Sequence, residues 1–205
     1  LITCVFTDVA GFTTLCEGLP PEELVDLLNR YLGGASEVFV AHGGTIDKFV
    51  GDAILIIFGV TAEDPHHALH AMTCGLLIQQ LTERINRRRE SAGDSAIGLR
   101  VGISSGPMMA GDLGSAARMQ YTVVGDTVNV AARLCAMAEP GGVLLAESVL
   151  AQGHPGSVSH YAALGPVRLR GRTADVAVRV MDVAAVAHEI DADRLIERIL
   201  SGESA

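Results

Sequence analysis

The sequence predicts one α+β domain, and three observations carry that expectation. Short apolar runs rich in β-branched residues are bounded by glycine, and longer stretches carry apolar residues at helical spacing. The two patterns alternate along 205 residues, with no internal repeat and no linker before about Asp182. A chain of this length buries roughly 70% of the surface it exposes when unfolded, so a sizeable core is available. With 49% apolar and 19% charged residues, the composition excludes a disordered tail. The longest apolar run, Ala53–Val60, is far short of the ~18 residues of a membrane span. Fifteen Lys and Arg against 24 Asp and Glu leave a net charge of −9, which argues against a nucleic-acid partner. At first sight that charge also disfavours any anionic substrate. Cysteines at 4, 16, 74 and 135 form no C-x-x-C pair and read as small buried hydrophobes in a reducing, cytoplasmic setting. No signal peptide is seen, and the start at Leu1, inside a strand, reads as a piece of something longer.

Ile2–Val9 reads as a buried strand closed by Ala10-Gly11, with Thr13 and Thr14 as caps for a short helix. Pro20-Pro21-Glu22-Glu23 opens a second helix, with proline and acids in its first turn. Leu24, Leu27, Leu28, Tyr31, Leu32, Val38 and Phe39 share one face of it, and Gly43-Gly44 stops it. Thr45–Val50 and Ala53–Phe58 make a hairpin with Gly51-Asp52 at the tip. Asp64-Pro65 starts a helix that runs into Arg87-Arg88-Arg89. Strands follow at Ile97–Ser104 and Gln120–Val124, with the glycine-rich stretch Gly106–Arg118 unassigned between them. Asp126 caps a helix that ends before Pro140, and Val143–Ala146, Val167–Leu169 and Val176–Val183 are further strands. The last twenty residues read as a short helix or tail.

Asp8 and Asp52 each stand where an apolar strand ends or turns. Taken alone, they read as a helix-capping and a turn aspartate, or as paired carboxylates holding Mg²⁺. In the second reading, the N–H groups of Gly11, Phe12 and Thr13, opening the helix behind Asp8, make an anion site beside the metal. Asn129 and Arg133 are i,i+4 on one helix face: a solvated stripe, or an amide and a guanidinium facing phosphate. Lys48, isolated among apolar neighbours, either snorkels to water or has a specific acceptor.

Phe6-Thr7-Asp8-Val9-Ala10-Gly11-Phe12-Thr13, Lys48-Phe49-Val50-Gly51-Asp52-Ala53 and Tyr121–Arg133 together resemble the class III nucleotidyl cyclases. The resemblance covers residues 1–183 in order and spacing, leaving 184–205 as a tail. It implies a ferredoxin-like, palm-type βαββαβ core with extra C-terminal strands and helices, working as a head-to-tail homodimer with shared active sites. It implies that Asp8 and Asp52 hold two divalent cations, Mg²⁺ or Mn²⁺. Lys48 and Thr122 would read the base, Asn129 and Arg133 would act in the transition state, and Arg170 would touch the terminal phosphates. Thr122 stands where the commonest adenylyl pattern has aspartate, a feature of the subset that includes bicarbonate-responsive members, so bicarbonate enters as an expected effector. Adenine offers an acceptor at N1 for Lys48 and a donor at N6 for the Thr122 hydroxyl, which favours ATP as substrate. Guanylyl or dual specificity is the first alternative, and a non-catalytic nucleotide- or bicarbonate-binding module the second.

Overall fold

The structure, a computed structural model, describes residues 1–60, 64–115, 118–189, 193, 196 and 197. At its centre lies β1 (Ile2–Val9), paired antiparallel with β3 (Ala53–Phe58) on one side and β4 (Leu99–Gly106) on the other. β2 (Thr45–Val50) pairs with β3 through the predicted hairpin. The order β2-β3-β1-β4, antiparallel throughout, is the ferredoxin-like arrangement that the resemblance implied. β7 (Val143–Ala146) joins β4 in parallel, and β9 (Val176–Met181) and β8 (Tyr161–Val167) complete a seven-stranded sheet.

Both faces of the central strands are covered, which is why all six residues of β3 are buried. Val5, Ile54 and Ile56 meet α2 (Pro21–Ala41) and α3 (His67–Ser91) through Val38, Phe39, Met72 and Leu76. Cys4, Leu55 and Ile57 face the other way, onto Ala131 of α4 (Asp126–Met137) and Val123. Val123 belongs to a separate two-stranded ribbon of β5 (Met109–Ser115) and β6 (Arg118–Val124). No helix among the described residues is long and apolar enough to cross a membrane.

Gly102 sets how closely α4 approaches the sheet. A Cβ there would stand 2.1 Å from the Ala131 carbonyl oxygen and 2.2 Å from the Cys135 nitrogen, both backbone atoms that cannot rotate away. Gly102→Ala is therefore expected to destabilise the domain by about 1–3 kcal/mol or more, read as a lower urea midpoint. An unchanged midpoint would contradict this packing.

Several boundaries differ from the sequence reading. The strand placed at Ile97–Ser104 runs from Leu99 to Gly106, and the unassigned glycine-rich stretch contains β5. The strand placed at Val167–Leu169 is instead β8, which ends at Val167. Its Gly165 and Pro166 suit only an edge strand, and β8 is one. α1 (Phe12–Gly18) is preceded by Gly11 at φ +69°, with no side-chain cap from Thr13 or Thr14. That left-handed conformation favours glycine and turns the chain sharply out of β1. Asp64 does not start α3 directly; it accepts the His66 N–H, and the helix begins at His67. Asp126 is the first helical residue of α4 rather than its cap, and Gly125 takes that position. Cys4, Cys74 and Cys135 are buried as expected, whereas Cys16 is exposed.

After β7 come α5 (Glu147–Leu150) and a 3₁₀ turn at Val158–His160, both unread in the sequence. α6 (Val183–Glu189) follows, and Val186 and Ile196 are fully buried in the main core. Most of the remaining C-terminal stretch lies outside the described residues.

Candidate active site

The end of β1, the β2–β3 tip and the start of α1 converge. Asp8, next to last in β1, faces Arg100 across the β1–β4 ladder. Arg100 Nε donates to Asp8 Oδ1 and Nη2 to Oδ2, both at 2.8 Å, a two-point fork. Those bonds to Asp8 hold the Arg100 guanidinium above its ordinary pKa. Asp52, at the hairpin tip, accepts the Val9 N–H on Oδ2 at 3.0 Å, which brings its carboxylate to the Asp8–Val9 peptide. Burial, and then the neighbouring Asp8 charge, push the Cys135 thiol up. The two carboxylates are hard oxygen donors and the Asp8 side chain is 19% exposed, so a cation has access. No group of three or more His, Cys, Asp or Glu ligands exists among the described residues. Two carboxylates completed by water and phosphate oxygens suit Mg²⁺ or Mn²⁺, so the residues fit such an ion.

A second group forms between β2 and β6. Lys48 Nζ donates to Thr122 Oγ1 at 2.9 Å, so the lysine has a specific acceptor. Thr122 in turn donates to Asp47 Oδ2 at 2.8 Å, and Asp47 Oδ2 lies 3.1 Å from Lys48 Nζ. Neighbouring strand residues normally point to opposite faces. Here the β2–β3 register slips between Ile46 and Lys48, leaving Asp47 as the extra residue of a bulge. The bulge aims Asp47 and Lys48 at the same hydroxyl.

The third group is on α4. Asn129 is exposed, and Arg133 on the same face packs against the turn after β8. A Cβ on Gly171 would lie 3.4 Å from Arg133 Nη2, and Arg172 pairs with Asp126 across the same turn. Arg170, exposed, precedes Gly171 in that turn. Arg133 Nη1 is buried with no hydrogen-bond partner among the described residues. A buried, unsatisfied guanidinium N–H is costly, and an acceptor oxygen brought to it would remove that cost.

Among the described residues, no hydrogen bond or ion pair joins Asp8 and Asp52 to Lys48 and Thr122, or either pair to Arg133. Around the ribbon, Phe49, Met109, Leu113, Met119, Tyr121 and Val124 are exposed. A two-stranded ribbon is stable only against a packed face. The register puts Met109, Leu113 and Val124 on one face of this ribbon and Met119 and Tyr121 on the other, so both carry exposed apolar side chains.

Sequence reading missed Asp47, Arg100 and Arg172. Arg100 carried a weak signal, a cation inside the apolar run Leu99–Ile103. Its partner depends on strand register, which the local sequence does not show. Asp47 lies inside the strand read at Thr45–Val50 and carried no local signal of its own.

The architecture and these three groups define a nucleotide cyclase domain. Residues 1–182 match the family model described as the adenylate and guanylate cyclase catalytic domain, and the chain belongs to that family. Adenylate cyclase 1 of Rhizobium meliloti is 36% identical over 192 residues, 93% of this chain and 28% of that protein. The chain thus spans less than a third of that relative's length. Its fold is similar to the crystal structure of the adenylyl cyclase CyaB from P. aeruginosa, with TM-score 0.81, 31% identity and coverage of 88% of this chain and 93% of that one. The guanylyl cyclase Cya2 is as near, with TM-score 0.80, 33% identity and coverage of 88% and 90%. Overall likeness therefore does not choose the base.

Proposed function

We propose that this domain is an adenylyl cyclase, converting ATP to 3′,5′-cyclic AMP and pyrophosphate at sites shared between two copies. The observation that carries the reading is the meeting of Asp8 and Asp52 at the start of α1. Two hard carboxylates lie there beside helix N–H groups that lack intrahelical partners. Asp8 and Asp52 would hold the divalent cations, and Arg100 competes for the same carboxylate. When bound, those cations lower the pKa of the ribose 3′-hydroxyl and neutralise charge on the triphosphate.

The remaining work falls to the chain itself. The N–H groups of Gly11, Phe12 and Thr13 take phosphate oxygens, and Arg170 reaches the terminal phosphates. Asn129 orients the ribose so that its 3′-oxygen attacks the α-phosphorus in line with the departing pyrophosphate. Arg133 stabilises the charge that develops there, a contact of the kind worth about 10²–10³ in rate. Lys48 donates to adenine N1, and Thr122 accepts from the N6 amine. Guanine presents a donor at N1 and an acceptor at O6, mismatched to both.

The separation of the three groups within one chain supports a shared site. Asp8 and Asp52 would come from one copy, and Lys48, Thr122, Asn129 and Arg133 from the other. The exposed apolar side chains of the ribbon supply a surface for such pairing. The domain proposed spans 1–183, and bicarbonate is retained as the proposed effector.

The test is turnover with ATP and GTP over a range of protein concentration. The expected result is cyclic AMP as the main product and a specific activity that rises with concentration as the pair assembles. Lys48→Glu is expected to raise relative use of GTP. Cyclic GTP product dominating in the parent chain would reverse the base assignment, and concentration-independent activity down to the lowest detectable level would argue for a site within one chain. Rate measured against bicarbonate at fixed pH checks the effector.

A further inference from the structure

We infer that Asp47 is a positioning residue that sets base choice by holding Thr122 as a hydrogen-bond acceptor and Lys48 as a donor. The inference rests on the cyclase reading above and deepens it. Thr122 by itself specifies nothing. A hydroxyl carries one donor and two acceptor positions, and it rotates to suit whichever partner arrives. Adenine's N6 amine and guanine's O6 carbonyl would both be served.

Asp47 removes that freedom. An ionised carboxylate only accepts, so the Thr122 proton is committed to Asp47 Oδ2 at 2.8 Å. With one lone pair taken by the Lys48 N–H, what Thr122 then offers to a base is its remaining lone pair. Lys48 only donates; it gives one N–H to Thr122 and faces the Asp47 charge at 3.1 Å. The third N–H remains for a ligand. The outward pattern is acceptor at Thr122 and donor at Lys48, the complement of adenine N6 and N1 and the inverse of guanine O6 and N1.

Accessibility divides the roles. The Asp47 side chain is 2% exposed and that of Lys48 32%, so a base meets the lysine while Asp47 stays behind it. Thr122 is likewise 4% exposed, so its hydroxyl has few alternative partners. The Asp47 charge also lies close to the apolar cluster around Cys4. Burial, and then that charge, raise the Cys4 thiol to about 12. A carboxylate backed by such a cluster has few water partners and relies on Lys48 and Thr122. The bulge is what permits the arrangement, since a regular strand would turn Asp47 to the opposite face.

The experiment compares Asp47→Asn with the parent, using 3′-deoxy-ATP and 3′-deoxy-GTP, which bind without reacting, alongside kcat and KM for ATP and GTP. An asparagine amide both donates and accepts, so Thr122 regains its rotation. The expected result is a fall of about tenfold or more in the ATP over GTP preference, in Kd and KM, with kcat for ATP within about threefold. Thr122→Val is expected to lower the preference similarly, and adding Asp47→Asn to it to change the preference by less than about threefold. A purely structural role weakens both nucleotides in step and leaves the ratio unchanged, which overturns the inference. One measurement needs no variant. The 3′-deoxy triphosphate of inosine carries guanine's N1–H and O6 without the 2-amino group. Its rejection by the parent chain supports a locked Thr122, and binding as tight as that of 3′-deoxy-ATP overturns it. A parent chain that binds neither ATP nor GTP sinks the cyclase reading itself. A parent that prefers ATP, with Asp47→Asn keeping the same ratio, sinks only the role of Asp47.

Discussion

Asp52→Asn and Asp8→Asn are each expected to lower cyclic AMP formation by about 10³-fold or more in Mg²⁺ or Mn²⁺, while the domain stays folded. Asparagine is the informative replacement because each aspartate also has a structural bond. Asp52 accepts the Val9 N–H, and alanine there would orphan a backbone donor at a cost of about 1–3 kcal/mol. Asparagine keeps an acceptor oxygen for that N–H and removes only the charge a cation requires. At Asp8 the same change preserves one arm of the Arg100 fork. Turnover is measured alongside the urea midpoint. Activity within about tenfold of the parent, in a variant with an unchanged midpoint, would remove Asp8 or Asp52 from the metal site.

Mixing an Asp8→Ala chain with an Arg133→Ala chain, each inactive alone, is expected to restore about a quarter of parental activity. Random pairing of equal amounts makes half of the pairs mixed. Each mixed pair has one site with both defects and one with neither, so about a quarter of all sites are intact. The expectation follows from where the side chains lie. Asp8 is held by Arg100 at the end of β1, whereas Arg133 packs against the turn at Gly171. Association of the two chains is established by light scattering on the same mixture. No recovery among chains shown to associate would place a complete site within each copy.

Much of the fold was legible because its central elements announce themselves locally. The continuous apolar run Ala53–Phe58, closed by Gly51-Asp52, has the same limits in the structure. So does Ile2–Val9. β5 was illegible because Gly111 and Gly114 interrupt it and Met109 and Leu113 are exposed, leaving no alternation to read. β8 was misplaced for a related reason. Ala162, Ala163 and Leu164 are exposed on an edge strand, and Gly165 and Pro166 read as a turn.

The site divides in the same way. Asp8, Asp52 and Lys48 stood out as polar residues in apolar surroundings, and their three motifs, with Asn129 and Arg133, carried the family resemblance. By itself the sequence thus determined the family and the core strands, because residue type and local spacing suffice for both. A net −9 still speaks against nucleic acid, but in the proposed reading Asp8 and Asp52 hold divalent cations, which would invert the local charge toward a nucleotide. Only the tertiary structure decided that Arg100 forks Asp8, that Asp52 reaches the Val9 peptide and that Arg133 keeps a buried N–H without a partner among the described residues. It alone turned Asp47 inward onto Thr122. Strand register and a one-residue bulge settle those contacts, and both come from long-range pairing that no local stretch of sequence contains.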